Sequence, residues 1–151
     1  MKEIDVINEC PFCEIVAGRA PCRKVYEDES TLAFLDLYPI SRGHCLVIPK
    51  KHIQWFTDIE PQDNLAGPFL RACYIVARKV KHAFECEYVT LLLRGTRVPH
   101  THMLIIPTIK GEENLLDKTL NLHHFCQTRL QSQFSESELD AIAERIRTAR
   151  P

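Results

Sequence analysis

Hydrophobic residues along this chain cluster in short runs that are separated by turn-forming residues. Val, Ile, Leu, Phe and Tyr dominate these runs, which is typical of β-strands. Because the connections between the runs are mostly short, we expect the strands to pair antiparallel in one sheet. Five runs predict strands, at residues 25–27, 31–35, 45–48, 88–93 and 103–106.

Two segments show a helical pattern instead. Apolar residues of segment 64–84 recur at spacings of three and four, which places them on one helix face. A proline at position 68 is tolerated only in a first turn, so the regular helix is expected to begin near it. Ser135 and Glu138 have the spacing of a capping box and predict a second, carboxy-terminal helix. Residues 110–134 are ambiguous, with a packed but irregular segment suggested by their leucines.

The expected fold class is therefore α+β, an antiparallel sheet of about five strands with a long central helix and a carboxy-terminal helix. The length of 151 residues favours a single domain over 1–151. No apolar run approaches the ~18 residues of a membrane span. Nineteen basic against 20 acidic residues leave a net charge of −1, which argues against a nucleic-acid polymer as partner.

Cysteine usage predicts the cellular compartment. The chain has seven cysteines, an odd number, whereas secreted disulfide scaffolds normally carry an even and denser set. Residues 1–8 alternate charged and apolar side chains and lack the apolar core of a signal peptide. A cytoplasmic location is expected.

Cys10 and Cys13 form a C-x-x-C pair whose sulfurs share one tight turn. Such a pair is half of a zinc site, a dithiol redox pair, or an accident in a cysteine-rich chain. Cys-Pro-Phe-Cys also resembles a glutaredoxin active site, which needs an apolar strand before it and a long helix after it. Gly18 and Pro21 follow closely, and the preceding residues make a poor strand. The context favours zinc, and the redox hypothesis stays open.

A zinc site needs two further ligands, and two of the seven histidines stand out. His52 follows a strand that Pro49 ends, and His100 follows Pro99 at the start of another strand. Two thiolates and two neutral imidazoles form a closed tetrahedral site of structural character. In an extended segment His100 and His102 share one face, where they serve a metal, a phosphate, or simply solvent.

Several motifs in register resemble the histidine-triad family. They run from Cys10-x-x-Cys13 through Leu32-Ala33-Phe34-Leu35-Asp36 and Gly43-His44-Cys45-Leu46-Val47-Ile48-Pro49 to Val98-Pro99-His100-Thr101-His102. The resemblance implies nucleotide binding, and hydrolysis or transfer of nucleoside phosphates. His102 takes the place of the family's middle histidine, which attacks the α-phosphorus and forms a covalent nucleotidyl-histidine.

The resemblance also implies a set of ligand-binding residues. In the zinc-containing branch, the metal ligands correspond to Cys10, Cys13, His52 and His100. In the nucleoside pocket, Phe34 and Leu37 flank the base, Asp36 accepts hydrogen bonds from the ribose hydroxyls, and His44 lies near the active site. Family members are commonly homodimers, with the helix at 64–84 near the interface.

Three departures from the family pattern affect these expectations. Leu104 replaces the third histidine of the motif and cannot donate a proton to a leaving group. Thr96 stands where the family has a glutamine that contacts the phosphate, and the loop before the motif is short. We hypothesise that Arg94 or Arg97 supplies phosphate charge in place of the missing donors. The alternative is a nucleotide-binding protein with weakened or absent catalysis.

Overall fold

The computed structural model describes residues 10–112, 116, 118, 119 and 135–149. The chain divides into two compact units, residues 1–115 and residues 116–151. Most of the ambiguous segment 110–134 lies outside the described residues. In chain order, the helices and strands are α1 (Pro11–Val16), β1 (Lys24–Glu27), β2 (Thr31–Leu35), β3 (Cys45–Pro49), α2 (Ala66–Phe84), β4 (Tyr88–Arg94), β5 (His102–Thr108) and α3 (Glu136–Thr148).

The five strands of the first unit form one antiparallel sheet in the order β1-β2-β3-β5-β4. This confirms the predicted α+β class with a long helix and five strands. β5 lies between β3 and β4, so the segment that carries the predicted catalytic histidine is a central strand with a neighbour on each side.

Two strands, β3 and β5, continue through a proline at which the apolar pattern predicts an end. β3 and β5 pair with each other only from Cys45 to Val47. Among the strands that the structure describes, Pro49 is paired with β2 and Pro107 with β4, each on one side of its strand. A strand tolerates proline on such an edge, where its missing N–H is not needed. Helix α2 likewise begins at Ala66, two residues before Pro68, because the N–H groups of a first turn have no partner within the helix.

One face of the sheet packs against α2. The apolar stripe of the helix is buried as predicted, and alternate residues of the central strands meet it. The main core consists of Ala33, Cys45, Val47, Phe69, Ala72, Cys73, Val76, Val80, Met103 and Ile105.

The opposite face of the sheet is also buried around its centre. Phe34, Leu46, Leu104 and Leu92 are paired in a row across four strands, and paired residues of a ladder lie on the same face. Three of them are less than 8% exposed, whereas Leu92 on the edge strand is 39% exposed. His102 precedes Leu104 by two residues and so shares this face, away from α2.

In the second unit, α3 begins with the predicted capping box. The backbone N–H of Ser135 donates to Oε2 of Glu138 at 2.7 Å, and the Glu138 N–H donates to Oγ of Ser135 at 3.3 Å. Among the residues that the structure describes, no helix has both the length and the apolar character needed to cross a bilayer.

Candidate functional site

The C-x-x-C turn lies at the beginning of α1. Pro11 fills the first helical position, which favours a helix start at that point. The Glu14 N–H donates to the Cys10 carbonyl at 3.1 Å and closes the first turn. Cys10 is 1% exposed and Cys13 is partly exposed, so both thiols project from one short turn toward the interior.

His52 and His100 meet these thiols from two other parts of the chain. Nδ1 of His52 lies 3.2 Å from Sγ of Cys13, and Nδ1 of His100 lies 3.5 Å from Sγ of Cys10. All four ligand atoms are within 4.8 Å of one another. A tetrahedral ion with metal–sulfur and metal–nitrogen distances of about 2.3 and 2.0 Å would place its sulfur and nitrogen ligands about 3.5 Å apart. These four residues can therefore hold a metal ion, as the ligand chemistry predicts.

The surroundings of His100 fix its orientation. The ring is fully buried, and its Nε2–H donates to the Pro49 carbonyl at 2.8 Å, which leaves Nδ1 as the nitrogen with a lone pair. A metal-bound histidine typically uses its second nitrogen in this way. Burial lowers the pKa of His100 to about 4, so the ring is neutral near pH 7.

The same geometry favours a metal over a dithiol redox pair. Burial, followed by the neighbouring Cys10, raises the pKa of Cys13 to about 11. Redox-active cysteines usually have a lowered pKa at the start of a long helix, whereas α1 has only six residues. A bound cation would stabilise the thiolates that this environment otherwise disfavours.

Backbone contacts hold the segment after His52 against the segment around His100. The Thr101 N–H donates to the Ile53 carbonyl at 2.6 Å, and the Thr101 hydroxyl donates to the Gln54 carbonyl at 3.1 Å. Gly95 packs directly on this carbonyl, because a Cβ there would lie 2.1 Å from the Gln54 oxygen. The two histidine ligands are thus brought together by the protein backbone.

His102 occupies the first position of β5 and is 7% exposed. Its Nδ1–H donates to the His100 carbonyl at 2.6 Å, so the lone pair of the neutral ring is on Nε2. Burial lowers the pKa of His102, and the hydrogen bond to His100 only partly opposes this shift. A neutral imidazole that is held by one nitrogen has the second nitrogen available as a nucleophile or base.

Phe12 links the two histidines, a role that the sequence pattern did not reveal. Its ring makes edge-on contacts with His100 and His102, with centroid distances of 5.8 and 5.4 Å. It also contacts Phe34, at 5.7 Å. Its position between Cys10 and Cys13 was the only available signal. One phenylalanine ring is therefore in contact with both histidines.

Two groups of opposite charge influence the pKa of His102. After burial and its hydrogen bond, Arg94 lowers the pKa of His102 and Asp36 raises it. Arg94 is paired directly with His102 across the β4–β5 ladder and so lies on the same face of the sheet. A guanidinium and a carboxylate are therefore both close enough to the imidazole to influence its charge.

The remaining predicted pocket residues have different surroundings. Phe34 is buried, whereas Leu37 is 72% exposed and is not a core residue. Asp36 stabilises the turn that follows β2, because its Oδ1 accepts the Tyr38 N–H at 2.8 Å. His44 is 2% exposed and lies close to Asp36, with 3.8 Å between Nε2 and Oδ2.

The predicted phosphate residues lie at the end of β4 and in the bend that follows. Thr96 is exposed, and its Oγ1 accepts a hydrogen bond from Arg94 at 3.2 Å. Arg97 is exposed and has a φ of +67°, which is uncommon for a residue with a side chain. A cavity of about 420 Å³ lies between Arg94, Thr96 and the segment beginning at Trp55, and its lining does not include His102.

A comparison with protein families identifies the fold. The HIT domain model matches residues 17–111, which is more than half of the chain. The chain belongs to the HIT domain family. This confirms the resemblance that the sequence motifs indicate, although Cys10 and Cys13 precede the matched range.

Two proteins similar to this HIT domain protein come from Bacillus subtilis and Schizosaccharomyces pombe. Protein hit of Bacillus subtilis is 44% identical over 105 residues, which are 66% of this chain and 71% of that protein. Adenosine 5'-monophosphoramidase of Schizosaccharomyces pombe is 37% identical over 111 residues, which are 70% of this chain and 79% of the enzyme.

Solved structures of HIT proteins have the same fold. A HIT family protein from Bacillus subtilis superposes with a TM-score of 0.74 and 31% identity. The superposition covers 95% of this chain and 98% of that protein. A Zn-bound histidine triad family protein from Mycobacterium smegmatis has a TM-score of 0.63 and 31% identity, with 72% and 81% covered.

Proposed function

We propose that this HIT domain protein binds nucleoside phosphates and hydrolyses or transfers them through a covalent nucleotidyl intermediate on His102. The observation that carries the proposal is the 2.6 Å hydrogen bond from Nδ1–H of His102 to the His100 carbonyl. It aims the ring and leaves the lone pair on Nε2, as a nucleophilic imidazole requires. The S. pombe relative, named as an adenosine 5'-monophosphoramidase, supports a nucleoside phosphoramidate as substrate.

The reaction consists of two displacements at phosphorus. Nε2 of His102 forms a bond to the α-phosphorus while the bond to the leaving group breaks, and the leaving group takes a proton from water. A water molecule, or another acceptor in a transfer, then attacks the phosphorus, and the nucleotide leaves His102. Leu104 has no proton to donate, so we expect slower release of a basic leaving group than in a protein with a histidine at that position.

The pocket residues have separate roles in this proposal. Phe34 and Leu37 flank the base, and Asp36 accepts hydrogen bonds from the two ribose hydroxyls, which suits a carboxylate with two acceptor oxygens. Arg94, Thr96 and Arg97 supply charge and donors to the phosphate. Of these, Arg94 has the strongest support, because it is paired with His102 across the sheet.

We further propose that the metal is zinc, held by the four residues Cys10, Cys13, His52 and His100. The Zn-bound relative from M. smegmatis and the two-thiol, two-imidazole donor set support this choice. A closed set of four protein ligands gives zinc a structural role. It would hold α1 and the start of β5 together, and so steady the His100 carbonyl to which His102 is bound.

The decisive experiment is to trap the nucleotide on the protein. The wild-type chain is mixed briefly with adenosine 5'-phosphoramidate, quenched, digested and analysed by mass spectrometry. We expect adenylate on the peptide that contains His102, and neither adduct nor turnover in His102→Ala. His82→Ala, which removes an exposed histidine of α2, should behave like the wild type. Full turnover by His102→Ala would reject the mechanism.

A binding protein without catalysis is the second candidate, and the observation that favours it is Leu104 at the third position of the motif. Calorimetric binding of adenosine and guanosine monophosphates, together with an absence of turnover, would support this alternative. A dithiol oxidoreductase is a third possibility, which is excluded if any activity found is unaffected by Cys13→Ser.

We propose that the protein is a homodimer located in the cytoplasm. Within the described residues β4 pairs only with β5, so it is an edge strand. Three consecutive residues of this strand, Leu91, Leu92 and Leu93, are 37–44% exposed. An exposed apolar edge is a template for pairing with another strand. Light scattering should give twice the chain mass for the wild type and once the mass for Leu92→Lys. Leu37→Lys, which adds the same charge on a loop, should remain dimeric.

A further inference from the structure

His44 has a polar atom that the fold leaves without a partner. The side chain is 2% exposed, and its Nδ1 accepts the backbone N–H of Ile40 at 3.2 Å. Burial lowers the pKa of His44 and nearby Asp36 opposes this in part, so the ring is neutral near pH 7. In a neutral ring whose Nδ1 accepts, Nε2 must carry the proton. Nε2 is nevertheless one of the few buried polar atoms in the described part of the chain without a hydrogen bond.

A carboxylate oxygen of Asp36 is an acceptor that lies near this donor. Oδ2 lies 3.8 Å from Nε2, which is too far for a hydrogen bond. Oδ1 is already held by the Tyr38 N–H at 2.8 Å. The Asp36 N–H donates to the His44 carbonyl at 3.0 Å, so the two backbones are fixed side by side. The buried donor and this carboxylate oxygen are therefore neighbours, 3.8 Å apart, on backbones that are held together.

We propose that His44 is a positioning residue for sugar recognition, whose Nε2–H holds Oδ2 of Asp36 while this carboxylate accepts the ribose hydroxyls. The site then discriminates ribonucleotides from 2'-deoxyribonucleotides. The inference rests on the proposed nucleotide binding and on the role of Asp36. A carboxylate oxygen has more than one lone pair, so it can accept from His44 and from a hydroxyl together. Without the buried donor, the Tyr38 N–H on Oδ1 is left as the hold on the carboxylate, and one hydrogen bond does not fix the direction of Oδ2 toward the diol.

Two substitutions distinguish the roles of the two ring nitrogens of His44. Asparagine places an amide oxygen near the position of Nδ1, so His44→Asn keeps an acceptor for Ile40 but has no donor toward Asp36. Glutamine reaches the position of Nε2 with its amide nitrogen, so His44→Gln keeps the donor and loses the acceptor. A comparison of the two variants distinguishes support of the loop from positioning of the carboxylate.

Calorimetry with adenosine monophosphate and its 2'-deoxy form tests the inference. For the wild type we expect the deoxynucleotide to bind about tenfold or more weakly, as expected for one hydrogen bond to a charged acceptor. In His44→Asn the ratio of the two dissociation constants should fall to about threefold or less. In His44→Gln it should stay close to the wild-type ratio. Thermal unfolding of each variant shows whether it is folded.

The wild-type protein offers a second test that needs no variant. With ¹⁵N-labelled histidine, long-range NMR correlations should show the proton of His44 on Nε2, and this signal should shift more with the ribonucleotide than with the deoxynucleotide. A proton on Nδ1, or an unchanged ratio in a folded His44→Asn variant that still binds nucleotide, would overturn the inference alone. If the wild type binds neither nucleotide, the proposed function fails and the inference fails with it.

Discussion

His100 and His102 are two residues apart, and they use their ring nitrogens in opposite ways. His100 presents Nδ1 to the thiols and donates from Nε2, whereas His102 donates from Nδ1 and keeps its lone pair on Nε2. The acceptor for His102 is the carbonyl of His100 itself. The proposed nucleophile is therefore aimed by the backbone of a proposed metal ligand, so any movement of the metal centre changes the direction of the His102 ring.

Leu104 is the residue at which this chain departs most from the histidine-triad pattern. It is 6% exposed, on the same sheet face as His102. We predict that Leu104→His increases turnover of adenosine 5'-phosphoramidate by about tenfold or more, because general acid catalysis typically contributes 10²–10⁴-fold. The variant should also be less stable by about 2 kcal/mol, since a buried apolar side chain is replaced by a polar one. Steady-state kinetics and thermal unfolding measure the two effects.

Leu104→Met is the control for this experiment, because it keeps the volume and apolar character of the leucine without adding a proton donor. Its turnover should match that of the wild type. If folded Leu104→His is no faster than Leu104→Met, the absent proton donor is not what limits the reaction.

Gly95 determines how closely the end of β4 approaches the loop after β3. An added Cβ would lie 2.1 Å from the Gln54 carbonyl oxygen, which also accepts the Thr101 hydroxyl. We predict that Gly95→Ala lowers the free energy of unfolding by about 1–3 kcal/mol, as overpacking does. It should also weaken metal retention. The control is Thr96→Ala at the exposed neighbour, and equal melting temperatures for Gly95→Ala and the wild type would contradict the prediction.

The β1–β2 hairpin depends on one carboxylate. Oδ1 of Asp28 accepts the N–H groups of Ser30 and Thr31 at 3.0 and 2.8 Å, and Oδ2 accepts the Tyr26 hydroxyl at 2.8 Å. Burial by itself raises the pKa of Asp28, but these hydrogen bonds outweigh it and hold the pKa below its ordinary value of 3.8. The stabilisation is therefore present above about pH 4 and is lost as the pH falls through the lower, folded-state pKa.

We predict that Asp28→Ala lowers the free energy of unfolding by about 1–2 kcal/mol at pH 7, the effect of losing hydrogen bonds to a partly exposed charged acceptor. The difference from the wild type should shrink below pH 3.8, as the carboxyl group becomes protonated first in the unfolded chain and then, at lower pH, in the folded protein. Urea denaturation at pH 7 and pH 3 measures both values. Glu29→Ala, at the exposed neighbour in the same turn, should have little effect at either pH, and a difference for Asp28→Ala that does not vary with pH would refute the assignment.

The sequence pattern predicts most of the fold because strands and helices depend on local periodicity. The five strands and α2 occur where their apolar patterns predict them, and the two prolines that lengthen β3 and β5 are explained only by the pairing of neighbouring strands. The sequence also indicates the four metal-ligand candidates, since a C-x-x-C pair and histidines at strand ends are distinctive. The sequence does not indicate the roles of Phe12 and Gly95. The contacts of Phe12 with two histidines and the close approach of Gly95 to a carbonyl exist only after the chain has folded.

At the scale of the whole molecule, the proposed metal centre joins parts of the chain that are far apart in sequence. Cys10 is the N-cap residue of α1 and Cys13 lies within this helix, whereas His52 follows β3 and His100 precedes β5. α1 lies outside the sheet, and its Phe12 ring contacts His102 on the sheet face that carries this histidine. The HIT domain match covers 17–111, and a single domain over the entire chain stays a prediction.

Removal of the metal should therefore loosen the site as well as lower stability. We predict about one zinc per chain in protein purified without chelator, and a fall of roughly 10 °C or more in the melting temperature after chelation. Structural zinc in small peptides contributes ~10–16 kcal/mol of binding energy, but a domain with its own core depends on it less. Cys13→Ser should lose the metal and melt near the chelated wild type. Cys22→Ser, at a partly exposed cysteine outside the cluster, should keep both metal and stability. Zinc that Cys13→Ser retains as firmly as the wild type against a competing chelator, measured by elemental mass spectrometry, would contradict Cys13 as a ligand, because a water or serine oxygen holds zinc more weakly than a thiolate.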